Sequence, residues 1–364
     1  MATFVTLPLE LVDAVMELLC PRCSLNSRRS RTLVHSLLAL CLTSKFFNRV
    51  ATRHLYHRPA LHRWPMLART LLARPDLAGH VKQILAPDTI QSFHFRRGLH
   101  WDYEIDVPSD VEAYYRAIVR EIDDDDALET QTAPEDVLAE RMAQDMRSDF
   151  IPIVASLCPN LQKLEVEYRD NYRPVLSICK PNTLPKVKKA KVTRKFQNLG
   201  CDFEIFQPLV DAAPNMERLV LNCLSGCSEW EGMRLENLTH LDLMESSLRA
   251  DDLARLLGAC PNLEILEYEC GGLWASEYDH WNREGESGDP TIAQFTPEEA
   301  RDVILEYAEK LEFFRFNIIH HANDPDVPHS PWAKDKIDLL KNAMENRGIE
   351  FQLIASFTDY AKFK

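Results

Sequence analysis

No apolar run in the 364-residue chain approaches the roughly 18 residues that would suggest a membrane-spanning helix. Nor does a charged segment followed by an apolar run open the sequence, so no signal peptide is expected. Positive charge is in deficit. Lys and Arg number 42 against 56 Asp and Glu, a formal net charge of −14. That balance argues against a general nucleic-acid binder and for a soluble, self-repelling surface. The ten cysteines show no regular pairing, in a chain too large to need disulfide staples. A reducing compartment, cytoplasm or nucleus, is the expectation. Also missing are a phosphate-cradling glycine loop, a GxSxG elbow and a nucleophile with a sequence-marked partner. No catalysis, cofactor or metal is therefore expected, and the length suggests about two domains.

What is present begins with an excess of apolar residues in the first sixty positions. Leu7, Leu9, Leu11, Val12, Val15, Met16, Leu18 and Leu19 wrap most of a helical circumference. One-sided burial needs only a stripe. Leu33, Val34, Leu37, Leu38, Leu40 and Leu42 do the same in a second block. Thr43-Ser44 then supplies hydroxyls suited to capping a third helix, with Phe46, Phe47, Val50, Ala51, His54 and Leu55 on its apolar side. Three short helices cannot bury all of this among themselves. The surplus should be covered by the rest of the chain or by another protein.

Downstream, one spacing recurs: apolar, two residues, apolar, one residue, apolar. Its clearest copies start at Leu161, Val187, Met216, Leu238, Leu263 and Leu311, with a weak one at Val81. Consecutive copies from Leu161 to Leu263 lie 22–29 residues apart, within the roughly 20–29 expected of leucine-rich repeats. The turns Pro159-Asn160, Pro214-Asn215 and Pro261-Asn262 precede three copies. Amphipathic helices over 150–157, 206–212 and 253–257 precede those turns. The last two apolar positions, being two apart, share one face of a strand. A single copy cannot bury that face, so copies stack into a solenoid. The expected fold is thus α/β: a strand–helix solenoid at 59–364, preceded by a small helical domain at 1–58.

Two stretches break the period. The insertion at about 87–149 is acidic, with 16 acidic and 4 basic residues between Asp102 and Asp149. Ser109-Asp110-Val111-Glu112 reads there as a capping box. The other break, 271–295, holds Trp274 and Trp281 in a polar loop, where exposed Trp would suit an interface anchor. Thr296-Pro297-Glu298-Glu299 reads as a helix start, and Ser330-Pro331 as another ending at Gly348.

Metal-ligand patterns are incomplete. Cys20-Pro21-Arg22-Cys23 is a CxxC pair, with His35 and Cys41 downstream, but it lacks a second closely spaced ligand pair. His320, His321, Asp324 and Asp326 read as a solvated loop. Lys186, Lys188, Lys189, Lys191, Arg194 and Lys195 form a dense basic cluster without interleaved aromatics. It reads as a solvated strand face, with docking of an acidic segment or of nucleic acid as the alternatives. A solenoid sheet would set its outward residues side by side on a concave face: Lys189, Lys191, Arg218, His240, Asp242, Glu267, Phe313 and Arg315. That face, with Trp274 and Trp281, is the candidate surface for binding a protein target.

The N-terminal residues carry a family resemblance. Leu7-Pro8-Leu9-Glu10, then Leu40-Cys41-Leu42-Thr43-Ser44-Lys45-Phe46-Phe47, then Leu55-Tyr56 resemble an F-box, over about residues 4–59. With the repeats, the whole chain resembles fungal F-box proteins that carry a leucine-rich-repeat domain. The resemblance implies the substrate-recognition subunit of an SCF (cullin-RING) ubiquitin ligase. The F-box would bind the adaptor subunit, and through it a cullin, while the repeats bind a protein substrate. Carried onto this sequence, the adaptor contacts fall on Leu7, Pro8, Leu9, Leu11, Val15, Leu40, Leu42, Lys45 and Phe46. The alternative is a repeat scaffold outside any ligase, its N-terminal helices only capping the solenoid.

Overall fold

The structure is a computed structural model. It describes residues 8–20, 30–59, 61, 64–85, 109–111, 113–114, 117, 150–168, 176, 179–194, 201–226, 234–270, 295–317 and 334–354. The chain divides into two compact units, Met1–Leu164 and Glu165–Lys364.

In the first unit, α1 (Leu9–Leu19), α2 (Ser30–Thr43) and α3 (Lys45–Leu55) surround a small core of Val12, Met16, Leu37, Val50 and Ala51. Pro8 precedes α1, where its missing N–H costs nothing. Ser44 caps α3, its Oγ accepting from Phe47 N at 3.2 Å. Thr43 does not cap; its hydroxyl donates back to Leu40 O. Asp13 of α1 is bound to α3 through Arg53 and through His54 Nε2 at 2.8 Å. The helices α4 (Trp64–Ala73) and α5 (Pro75–Ala78) follow, then β1, which is only Gln83–Ile84. The strand β1 pairs in parallel with the start of β2 (Lys163–Tyr168). Of the acidic insertion, the described residues 109–111, 113–114 and 117 are helical. Ser109 therefore lies inside the helix, and Glu112 lies outside the described residues.

The sheet is open and parallel, with eight strands in the order β1-β2-β3-β5-β7-β8-β9-β10. In the second unit these are β3 (Lys189–Arg194), β5 (Arg218–Asn222), β7 (His240–Ser246), β8 (Ile265–Cys270), β9 (Phe313–Asn317) and β10 (Glu350–Ile354). Short β4 (Cys201–Asp202) and β6 (Leu224–Gly226) pair separately; the repeat spacing gave no sign of them. Parallel neighbours need crossover connections. The helices Gln207–Ala212, Ala250–Gly258, Pro297–Tyr307 and Lys334–Asn346 lie within such connections. Thr296 and Glu299 close the expected capping box, at 3.2 and 2.7 Å. Gly348 ends the last helix at φ +82°, a conformation that suits glycine. Ser330-Pro331 lies outside the described residues.

Alternate residues of β7 and β8 are buried, whereas in β5 Val220 and Asn222 are buried as well. Leu219, Leu221, Leu241, Leu243, Leu266, Tyr268, Phe314 and Phe316 form the core with Leu253, Leu257 and Ile304. Cys158 and Cys260 are buried as small apolar residues, and burial pushes the Cys158 thiol up to about 12.

The turns before the strands are tied to one another by a ladder. Asn160 Nδ2 donates to Gly79 O at 2.8 Å in the first unit. In the second, Asn215 donates to Pro185 O (3.0 Å), Asn237 to Pro214 O (3.1 Å) and Asn262 to Glu236 O (2.5 Å). Backbone donors run the same way. Glu217 and Arg218 N share Lys188 O, Thr239 and His240 N share Glu217 O, and Glu264 and Ile265 N share Thr239 O.

Candidate functional site

Strand register arranges the outward side chains of the second unit in two rows. Lys189, Arg218, His240, Ile265, Phe313 and Glu350 follow one another in the first. Lys191, Val220, Asp242, Glu267, Arg315 and Gln352 follow in the second. The eight sheet residues picked from the sequence thus stand side by side. Trp274 and Trp281 lie outside the described residues.

Charge on these rows is not merely solvated. Glu267 is the hub. It accepts from Arg315 Nη1, lies 3.0 Å from His240 Nε2, and is 3.9 Å from Arg218 Nη2. Its hydrogen bond with His240, then the Arg315 and Arg218 charges, hold its carboxyl below the usual range against the opposing effect of burial. Arg315 also donates from Nε to Gln352 Oε1 at 2.9 Å and stacks over the Phe313 ring at 5.3 Å. Asp242 is placed differently. Its link to Arg218 Nη2 is 3.9 Å long. Burial, then repulsion from Glu267, push its carboxyl up to about 6. The basic end is simpler: Lys186, Lys188 and Lys189 are exposed, and Lys188 pairs with Glu217 at 2.7 Å. The sheet face therefore runs from exposed lysines to a cross-linked, half-buried patch of mixed charge. Gln352 was not picked from the sequence. Continuing the register into the last strand would have found it.

The first unit offers a second surface. Pro8, Leu9, Leu11, Val15 and Leu42 are exposed, Leu11 at 54% and Leu42 at 87%. Leu18 and Leu38 join them at the surface. Spacing puts Pro8, Leu11, Val15 and Leu18 along one side of α1. Lys45 is exposed too, whereas Leu40 and Phe46 are half-buried against the small core. Leu7 lies outside the described residues.

No family model matches the chain, and no curated protein matches it.

Of the four candidate ligands around the CxxC pair, Cys20, His35 and Cys41 are described. Cys23 lies outside the described residues, His35 is exposed, and Cys41 Sγ sits 3.8 Å from Thr52 Oγ1. His320, His321, Asp324 and Asp326 also lie outside the described residues. Among the described residues, no helix is long and apolar enough to cross a membrane.

Proposed function

We propose that this chain is the substrate-recognition subunit of an SCF-type ubiquitin ligase. Its N-terminal helices dock on the adaptor, and its sheet domain, a leucine-rich-repeat solenoid, holds a protein target. The observation that carries the reading is the apolar surface of α1 and α2. Leu9, Leu11, Val15 and Leu42 are large aliphatic residues left exposed, outside the core cluster of Val12, Met16, Leu37, Val50 and Ala51. Water-exposed aliphatic side chains clustered on one small domain favour a protein interface. These positions coincide with adaptor contacts carried over from the F-box resemblance.

The mechanism needs no chemistry from this chain. A target held on the sheet face is kept at high effective concentration beside a ubiquitin-charged enzyme brought by the partner subunits. On that face the Glu267–Arg315–His240 cluster supplies fixed donors and acceptors, and Lys189 and Lys191 supply positive charge. A target segment with acidic residues near one end suits this gradient.

The test is capture of purified adaptor bound to a cullin N-terminal fragment by the full chain. Leu9→Glu with Leu11→Glu should abolish capture while circular dichroism stays unchanged. Undiminished capture by the double variant refutes the assignment. Absence of capture by the unaltered chain favours the scaffold reading instead.

A further inference from the structure

Where α1 ends, three side chains with metal-ligating atoms converge. One such atom from each of Cys20, His54 and His57 lies within 4.8 Å of the other two. Cys20 and His54 are buried and His57 is half-buried. The Cys20 sulfur stands 3.4 Å from His57 Nδ1. In a tetrahedral zinc site, bonds of roughly 2.3 Å to sulfur and 2.0–2.1 Å to nitrogen put these atoms about 3.6 Å apart. The contact already has nearly that span.

The surroundings fit a cation. His54 Nε2 is engaged by Asp13 Oδ1 at 2.8 Å, which leaves Nδ1 as its remaining ligand atom. That Nδ1 is buried without a hydrogen-bond partner. A carboxylate on one ring nitrogen, with the other nitrogen presented to a ligand, is the arrangement that orients metal-binding histidines. The His57 carbonyl accepts from Lys82 and Gln83 N at 3.0 and 2.9 Å, so its backbone is fixed to the entry of β1. His54 and His57 also lie at the C-terminal end of α3, where the helix dipole favours positive charge.

We propose that Cys20, His54 and His57 form a binding site for a zinc-class divalent cation, oriented by Asp13. Cys20 binds as the thiolate, releasing its proton to solvent, and the two imidazoles bind as neutral donors through Nδ1. Three protein ligands leave the fourth tetrahedral position for water or another donor. One thiolate and two imidazoles suit zinc and cobalt better than magnesium or calcium, which prefer oxygen. The ion would pin the end of α1 to the end of α3 and to the first strand. The site does not depend on adaptor binding.

The full chain, stripped of metal under reducing conditions, is titrated with Co²⁺ and then Zn²⁺. One equivalent of cobalt should bind with a thiolate-to-metal charge-transfer band and tetrahedral visible absorption, and zinc should displace it. The Cys20→Ser variant should lose the charge-transfer band. His57→Gln should keep its circular dichroism and bind cobalt at least tenfold more weakly, and His35→Gln should bind as the unaltered chain does. Zinc should raise the melting temperature of the unaltered chain and not that of His57→Gln. If Cys20→Ser does not fold, the His57→Gln comparison decides alone. No charge-transfer band in the unaltered chain overturns the proposal, leaving a thiol–imidazole hydrogen bond only. A band unchanged in Cys20→Ser or affinity unchanged in His57→Gln overturns it too, by assigning the metal to other side chains.

Discussion

Asp242 and Glu267 stand directly opposite one another in register on β7 and β8. Like charges so placed repel, and the two respond differently. Glu267 has bonded cations around it and stays ionised; Asp242, more poorly paired, is the one that is driven toward its neutral form.

A pH dependence follows from Asp242. Its carboxyl titrates at about 6 in the fold, and near about 3.9 in an unfolded chain. Between those values the folded chain keeps a proton that the unfolded chain has released. This contribution to stability therefore falls as pH rises through the window, and is fully lost above it. Asp242→Asn removes the penalty. Urea unfolding should show the variant more stable by on the order of 1–2 kcal/mol at about pH 7.5, with the gap closing toward about pH 4. A gap that stays constant across that range would rule Asp242 out as the group responsible.

Glu267→Gln should act in the opposite sense. It loses the charge that anchors Arg315, His240 and Arg218, and the loss is limited because the cluster is partly solvated. The Asp242 carboxyl, freed of its neighbour's repulsion, should titrate lower. Carboxyl-carbon NMR titration of Asp242 in both proteins checks this, and an unmoved midpoint would mean that burial alone raises it.

Tyr268→Phe probes the core behind the outward face. The hydroxyl accepts from Leu248 N at 3.1 Å and donates to Ser246 O at 2.9 Å, all within buried surroundings. Removing it strands a buried N–H, so chemical denaturation should show a loss of about 1–3 kcal/mol. A loss under about 0.5 kcal/mol would imply that another acceptor reaches Leu248 N.

The N-terminal helices allow a contrast between neighbouring leucines. Leu37 is fully buried and Leu42 is almost fully exposed. Leu37→Ala should cost about 2–5 kcal/mol through lost burial and a cavity. Leu42→Ser should change stability by less than about 0.5 kcal/mol. Equal losses on thermal unfolding would show that Leu42 is covered within the chain.

The strand register was legible because its cause is local. Two apolar residues spaced by two, such as Leu219 and Leu221, fix which neighbours take the other face, so Arg218 could be assigned without coordinates; Val220, expected outward, is buried. Pairing across strands was less legible. His240, Glu267 and Arg315 could be read as neighbours, yet nothing in their spacing says that Glu267 gathers both of the others while Asp242 has only a long contact to Arg218. The Pro-Asn turns were visible at 159–160, 214–215 and 261–262. Asn237, preceded by Glu236, escaped notice because its role depends on the carboxamide and not on the proline. At Cys20 the nearest sequence cues, Cys23, His35 and Cys41, pointed away from His54 and His57. Those two reach Cys20 only because the C-terminal ends of α1 and α3 come together in the fold. The pair His54-x-x-His57 after a CxxC was the available signal, at a spacing shorter than usual zinc-finger patterns.

Every rung of the asparagine ladder points toward the N-terminus. Asn215, Asn237 and Asn262 each reach back to a carbonyl made earlier in the chain, and the paired backbone donors at 217–218, 239–240 and 264–265 do likewise. During synthesis, then, the residues that make these rungs find their acceptors already made. Assembly can advance like masonry, course on course, while the ribosome is still at work. A chain cut short after Asn262 would keep these three rungs, whereas one begun after Pro185 would lose the acceptor of Asn215.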